Sequence, residues 1–485
     1  MDTAVVWFRD DLRVTDNPVL ADAVDRAETV VPVYVTDPRR RGDSEYGPAK
    51  RGRHRARFRR ESLQDLRASL RDSGGELLLR DGTVETVVPE LAAASDANAV
   101  FAQTKPATEE IEREHAVRDG LPAGVDFERR WTHTLYHIND LPTPYDSIDD
   151  TFTPWRKEVE QSTEVRDPVP APAEITVPDD IEAGEIPTVD ALAGDDRTGG
   201  DDSRDDGPDD RAVLPFEGGE TAGKGRLEAY FWEGDHLREY KQTRNGMLGA
   251  DYSSKFSAYL AAGCLSPRWI HREVRRYEDE RVSNEDTYWL LFELAWRDFF
   301  QFQFVKHGGD FFTADGIRGV DKEWQHDREA FQRWAAGETG LPFVDANMRE
   351  LNRTGYMSNR GRQNVASFLV DALEIDWRWG AAYFEQQLVD YDVASNWGNW
   401  AYQAGVGNDS RDNHFNVLSQ ADRYDGNAEY VRTWLPELAD LPPEYAHRPW
   451  QLDDAERAEY GVELGIDYPR PMIDFEQRYA ELGRR

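Results

Sequence analysis

A single cysteine, Cys264, occurs in the 485 residues, so no intramolecular disulfide can form and nothing suggests secretion. Cys264 itself reads as a small core residue. No stretch approaches the roughly 18 consecutive apolar residues of a membrane span. The start, Met1-Asp2-Thr3-Ala4-Val5-Val6-Trp7, lacks the basic flank and long apolar run of a signal peptide. A cytoplasmic protein without a membrane partner is expected. Lysine is scarce and the basic residues are mostly arginine; acids outnumber bases 94 to 58, for a net charge of −36 and a pI near 4.7. Unscreened, such a surface repels nucleic-acid phosphates. Molar salt removes that conflict, because the Debye length falls to about 3 Å at 1 M. Acids spread along the whole chain therefore predict a salt-adapted surface rather than one acidic tail. The spaced glycines of a dinucleotide fold are missing after the first apolar run, so nothing points to NAD. No metal site and no internal repeat are read from the sequence.

What is present divides the chain in three. Over residues 1–135, apolar runs at Ala4–Phe8, Val30–Val35, Glu76–Leu79 and Ala99–Ala102 predict buried strands. Amphipathic stretches at Arg53–Leu70, Val84–Ala94 and Glu109–Val117 predict helices. That alternation predicts an α/β domain with a doubly wound parallel sheet. The dense basic run from Arg51 to Arg60 reads as a solvated helix face, with phosphate contact as the alternative. Residues 136–213 read as an interdomain linker, acidic and partly mobile. From about Glu164 to Arg211 they turn to Pro, Gly, Asp and Glu, with Asp195–Asp202 the extreme, a composition that cannot bury enough apolar surface to fold alone. Over 214–485 the apolar spacing is helical almost throughout and proline is sparse. An all-α domain is expected, with helices over 226–242, 267–279, 285–306, 328–336, 343–354, 360–373, 379–389 and 394–401.

Four clusters in this last part carry chemistry. Residues 390–402, Asp-Tyr-Asp-Val-Ala-Ser-Asn-Trp-Gly-Asn-Trp-Ala-Tyr, pack carboxylates, amides, indoles and phenols into thirteen positions. Buried polar groups need partners, so a large, flat, polar ligand is expected against them. Glu293, Trp296 and Arg297 share one helix face by their spacing; their apolar neighbours argue against a plain surface ion pair. Asn359, Arg362 and Gln363 share another face, with Ser358 placed to cap the helix. They suit either the edge of a heterocycle or polar packing between helices. Ser253-Ser254-Lys255-Phe256-Ser257 offers hydroxyls and N–H groups to an anion, with Tyr240 and Arg244 a short loop upstream. Trp324, Trp377 and Trp400, taken alone, read as packing residues.

Together these motifs resemble the photolyase/cryptochrome family. The opening Trp7-Phe8-Arg9-Asp10-Asp11-Leu12-Arg13, followed by Asp16-Asn17, is similar to that family's N-terminus. Tyr240-Lys-Gln-Thr-Arg-Asn-Gly, Trp296-Arg-Asp-Phe-Phe, Ser358-Asn-Arg-Gly-Arg-Gln, Phe152-Thr-Pro-Trp-Arg-Lys-Glu-Val-Glu and Val406-Gly-Asn-Asp resemble its DASH branch. The resemblance implies an α/β antenna domain and a helical domain holding FAD. Tyr240 and Ser253 to Ser257 would hold the phosphates, and Arg362 and Asp390 would pair beside the isoalloxazine. Asp392 would lie on its polar edge, Asn396 would face N5, and Arg297 would join them. Trp400, Trp377 and Trp324 would form an electron relay from flavin to surface. Glu293 and Asn359 would hydrogen-bond a cyclobutane pyrimidine dimer, Trp296 would stack on it, and Arg360 would hold a neighbouring phosphate. Excited, reduced FAD would lend the dimer an electron and recover it after the ring splits.

Duplex-repairing members carry a second Trp where this chain has Tyr402 and a Met where it has Gln363. Flipping a base from duplex DNA costs a few kcal/mol and costs least from a single strand. A weaker aromatic grip therefore implies preference for single-stranded DNA, repaired by a monomer. A local basic cleft around Arg244, Arg353 and Arg360 is expected against the acidic exterior. Folate-binding members usually carry Glu after the Lys of Thr104-Lys105-Pro106; Pro106 stands here, which leaves methenyltetrahydrofolate, another antenna or none. The rival reading is a blue-light photoreceptor that signals without a substrate.

Overall fold

The computed structural model describes residues 1–178, 182–194, 209–409 and 414–483. Strands β1 (Thr3–Phe8), β2 (Thr29–Thr36), β3 (Leu78–Asp81), β4 (Ala99–Gln103) and β5 (Asp126–Arg130) form one parallel sheet in the order β3-β2-β1-β4-β5. Helices α1 (Pro18–Arg26), α2 (Arg53–Asp72), α3 (Val84–Ala94) and α4 (Thr108–Gly120) make the crossovers. The central strands are apolar on both faces because helices cover both sides. Two elements escaped the periodicity. β5, Asp-Phe-Glu-Arg-Arg, is an edge strand whose charges blunt an open edge. α1 begins at Asn17, whose side chain accepts from Val19 N and Leu20 N, with Pro18 at the first helical position.

Part of the stretch read as a linker is folded onto the sheet domain. Helix α5 (Phe152–Ser162) comes first. Extended chain follows: Val169 O accepts from Asp16 N at 2.8 Å, Thr176 O from Val30 N at 2.8 Å, and Ile175 is buried. A short α6 (Val189–Leu192) packs on α2. The acidic extreme, Asp195–Asp202, lies outside the described residues.

The second half is helical, and among the described residues no further strand of the sheet type follows β5. Its elements are α7 (Glu220–Glu228), α8 (Tyr240–Thr243), α9 (Ser257–Ala262), α10 (Pro267–Glu280), α11 (Glu285–His307), α12 (Arg328–Ala336), α13 (Pro342–Thr354), α14 (Asn359–Ser367), α15 (Trp377–Gln387) and α16 (Val393–Gln403). Shorter helices between Val417 and Leu482 complete it. The single helix expected over 226–242 is instead broken. The chain passes through a π-turn at Ala229–Glu233 and reverses at Asp235, whose φ of +55° no helix can contain.

The opening motif joins the two halves. Asp16 accepts from Arg268 (Nε–Oδ2 3.1 Å), Arg13 Nη1 donates to Gly263 O at 2.8 Å, and Glu220 accepts from Val14 N at 2.7 Å. Gly263 sits at φ +73°, and a Cβ there would lie 2.0 Å from Asp10 O. Only glycine lets the loop after α9 approach this closely. Cys264 is buried, donates to Ser62 Oγ at 3.3 Å, and burial pushes its thiol up to about 11, as befits an inert core residue.

Candidate functional site: a polar cradle and an aromatic pocket

Helix α11 starts at a reciprocal cap between Asn284 and Thr287. Glu293 and Arg297 sit one turn apart on it, but each finds its partner on another element. Glu293 pairs with Arg244, whose guanidinium lies 4.7 Å over the Trp289 ring. Arg297 donates to the carbonyls of His133 and Leu260 and lies 3.9 Å from the Asp392 carboxylate. Burial pushes the Glu293 carboxyl up, and Arg244 pulls it back only in part, so it stays above the ordinary range. Arg244→Met is therefore expected to move the Glu293 titration to still higher pH. The protonated-carboxyl infrared band, assigned with Glu293→Gln, reads this; a band that moves to lower pH would refute it.

Helix α14 begins as the spacing predicts, with Ser358 Oγ accepting from Gly361 N at 3.0 Å. Arg362 donates through Nη2 to both oxygens of the nearly buried Asp390, at 2.8 and 3.0 Å, and through Nε to Met357 O. Asn359 is exposed in the first turn, and Gln363 is half-buried with an unpartnered Oε1. Arg360 donates to Asn245 Oδ1 at 3.2 Å and lies 4.5 Å over Tyr424. Arg244 is close enough to Arg360 to help lower its pKa after burial, whereas Arg353 acts on Asp209. The expected basic cleft thus holds Arg244 and Arg360, with Arg353 turned elsewhere.

Helix α16 is capped by Asp392, which accepts from Ser395 N at 2.9 Å and from Gln301 Nε2 at 2.8 Å. Burial raises this carboxyl, but Arg297, Lys105 and the Ser395 bonds outweigh it and hold it below the ordinary range. Asn396 donates Nδ2 to Ala381 O at 3.0 Å, leaving one N–H and its Oδ1 for a ligand. Trp400, a turn further on, meets the edge of Phe384 at 5.1 Å. Trp377 and Trp324 both donate to one acceptor, Ala314 O, at 3.2 and 3.3 Å.

The serine loop is shaped by a residue the sequence did not single out. Arg226 donates to Ala250 O, Ser253 O and Ser254 O and thereby curls the loop. Lys255, at φ +61°, turns inward over the Tyr252 ring and donates to Ser253 Oγ at 3.0 Å. Burial brings its ammonium down to about 6. Tyr240 is buried at the start of α8, and Ser257 is exposed at the start of α9, with Phe256 buried before it.

Residues 4–173 match the family described as DNA photolyase, and residues 289–485 match the FAD binding domain of DNA photolyase. A protein of Natronomonas pharaonis named Cryptochrome DASH is 68% identical over 483 residues, covering 99% of this chain and 100% of that one. The chain belongs to the photolyase/cryptochrome family, in its DASH branch. The crystal structure of a Synechocystis cryptochrome superposes with a TM-score of 0.94 at 45% identity, covering 100% of this chain and 99% of that one. A bacterial class III photolyase from Agrobacterium tumefaciens superposes with a TM-score of 0.81 at 29% identity, covering 100% and 98%.

The FAD-binding domain of this family member offers a donor set that fits its cofactor. A flavin dinucleotide brings a diphosphate and a ring edge of mixed donors and acceptors. Against these stand the cations of Arg297 and Arg362, the amine of Lys255, the hydroxyls of the serine loop, and the free half of the Asn396 amide. Tyr252 OH, Gln301 Oε1 and Gln363 Oε1 are buried without a partner, as polar atoms kept for a ligand would be.

Two cavities flank this region. One, of about 320 Å³, lies between the halves and is lined by Tyr46, Arg51, Arg55, Arg59, Glu385 and Trp397 among others. Here the basic run departs from the expected solvated face. Arg51 and Arg59 are buried, because the helical half covers this side of α2. Burial brings the Arg51 guanidinium down to about 9 and pushes the Glu385 carboxyl up to about 7. The other cavity, of about 260 Å³, is lined by Thr151, Phe152, Thr153, Pro154, Trp296, Phe299, Tyr402, Asn408 and Asp409. Phe152 and Asn408 belong to motifs quoted from the sequence without a role assigned to them. Among the described residues no cluster could hold a metal ion, and no helix is long and apolar enough to cross a membrane.

Proposed function

We propose that this DASH-branch protein splits cyclobutane pyrimidine dimers in light, preferring single-stranded DNA, as a deoxyribodipyrimidine photo-lyase. The observation that carries the proposal is the Glu293–Trp296 face of α11. Trp296 and Tyr402 line one cavity, and one turn before Trp296 on the same helix Glu293 is held by Arg244; a protein that only signals would not require that pairing of carboxylate and indole. Glu293, with Asn359, hydrogen-bonds the dimer's carbonyl and N–H groups. Trp296 and Tyr402 present rings to its faces, a contact worth about 1–3 kcal/mol per base. Arg244 and Arg360 take the flanking phosphates, and Gln363 lies one turn after Asn359 on the same face of α14. Because Arg244 also holds Glu293, a phosphate that draws Arg244 away leaves the carboxyl readier to take up a proton and donate to the dimer.

When bound and reduced, FAD supplies the light-driven electron and takes it back. The chain's part is to hold it: Tyr240 and Ser253 to Ser257 at the phosphates, Arg362 with Asp390 and Arg297 with Asp392 at the ring, Asn396 at N5. Trp400, Trp377 and Trp324 resupply electrons from the surface. The interdomain cavity is the place for an antenna chromophore. Its rings suit an aromatic body and Arg51 suits an anionic arm, the chemistry of methenyltetrahydrofolate.

Repair of a thymine dimer under blue light by the reduced protein in high salt tests the proposal. Repair confined to the single strand is expected, and Tyr402→Trp is expected to add duplex repair. Failure on both strands, with a flavin that still photoreduces, would turn the reading to a photoreceptor.

A further inference from the structure

Phe152 lies against the indole of Trp296 with ring centroids 3.6 Å apart and planes 12° from parallel, which makes it the closest aromatic stack among the described residues. Phe152 comes from the first turn of α5, outside the helical half, and is 5% exposed. The edge of Phe299 meets both rings, at 5.8 Å from Trp296 and 5.7 Å from Phe152. On the cavity side, Thr151, Phe152, Thr153 and Pro154 form a wall that faces Tyr402 and Asn408.

We infer that Phe152 is a positioning residue of the dimer pocket: it backs the Trp296 indole and fixes the plane on which a pyrimidine stacks. The inference rests on the reading of Trp296 as the stacking platform. At this separation the two rings lie nearly face to face, so Phe152 covers one face of the indole; Phe300 meets the indole from within α11 at 5.9 Å, and the remaining indole surface borders the cavity, where a pyrimidine would stack. A base does not displace Phe152, because α5 is docked along α11 at several points. Trp155 and Val159 are buried beneath it. Just before it, Gln303 Nε2 donates to Asp149 O at 2.8 Å, and Lys306 Nζ donates to Ile148 O and pairs with Asp150, both at 2.7 Å. Further along, Arg156 lies 5.3 Å over Phe292, and Tyr288 OH donates to Glu160 at 2.8 Å. Opening this face would expose three buried side chains to gain one stacked ring.

Affinity for a single-stranded oligonucleotide carrying a thymine dimer tests the inference in a double-mutant cycle of the FAD-loaded full chain. Phe152→Ala is expected to raise Kd about threefold to tenfold, with little change in the quantum yield of the bound complex. In a Trp296→Ala background the same change is expected to cost nothing more, because Phe152 acts through the indole. Phe152→Tyr should rescue affinity and Phe152→Leu should not, although leucine also fills the core; flavin content and Tm check that each variant folds. Additive losses, or leucine binding like wild type, would overturn the inference while leaving the Trp296 platform standing. An unchanged Kd for Trp296→Ala would overturn the platform and the inference with it.

Discussion

Trp400→Phe is expected to slow photoreduction of the bound flavin at least about tenfold, since each 1.36 kcal/mol added to a barrier costs a factor of ten and a phenyl ring gives up an electron far less readily than an indole. Repair by protein reduced chemically beforehand is expected to stay near wild type. The geometry supports so large an effect. Trp400 lies four residues after Asn396 on α16, so both side chains share one helix face. Its ring is 3% exposed and packs so closely on α15 that a Cβ on Gly380 would lie 2.3 Å from its Cη2. Trp377 opens α15 fully buried, and Trp324 is partly exposed. The shared carbonyl of Ala314 sets these last two indoles on either side of a single oxygen. Exposure therefore rises at the end of the series, where an outside donor can reach it. Trp334, 6.2 Å from Trp400, is the control. Trp334→Phe should leave photoreduction intact if the relay runs through Trp377. Flash photolysis that finds Trp400→Phe as fast as wild type would remove the relay from this reading.

Much of the fold was legible because its signals are local. Buried strands announce themselves as apolar runs, and Ser358 holds its capping chemistry within three residues. The composition of 390–402 pointed to buried amides and carboxylates, and the structure buries Asp390, Asp392 and Asn396 there, at the start of α16 and just before it. Partner choice was not local. Glu293 had Arg297 one turn away but pairs with Arg244, 49 residues earlier. Side-chain spacing shows which groups share a face and not what that face meets. The basic run shows the same limit. Arg51, Arg55 and Arg59 recur every four residues, so a single face was readable, but a charged face ordinarily means solvent. Only the packing of a second domain makes it the wall of a cavity. Phe152 was visible inside a motif, and nothing in the sequence says which of the aromatic residues of α11 it would meet.

Raising KCl from about 0.1 M into the molar range, where the Debye length shrinks from about 10 Å to about 3 Å, is expected to raise the melting temperature substantially and to retain FAD that is lost at low salt. The reason is a competition with a clear winner. Salt weakens the many exposed arginine–carboxylate pairs, such as Arg71–Glu76, Arg276–Glu280 and Arg448–Asp422. Such pairs are worth only about 0–1 kcal/mol each. Salt also screens the mutual repulsion of an excess of 36 negative charges, which acts over the whole surface and opposes the compact state. The same screening governs substrate binding. For single strands the affinity falls with salt at a log–log slope of about −0.7 per phosphate neutralised, and the pocket offers chiefly Arg244 and Arg360 for that purpose. So shallow a loss is offset as salt masks the acidic exterior, and dimer affinity is expected to stay nearly level or rise over the range in which an ordinary basic DNA-binding surface loses most of its grip. Calorimetry and binding titrations in the same KCl series measure both halves of the argument. A melting temperature that falls as KCl rises would show that the acidic surface is no adaptation to salt, and the approach of DNA to this protein would then need another explanation.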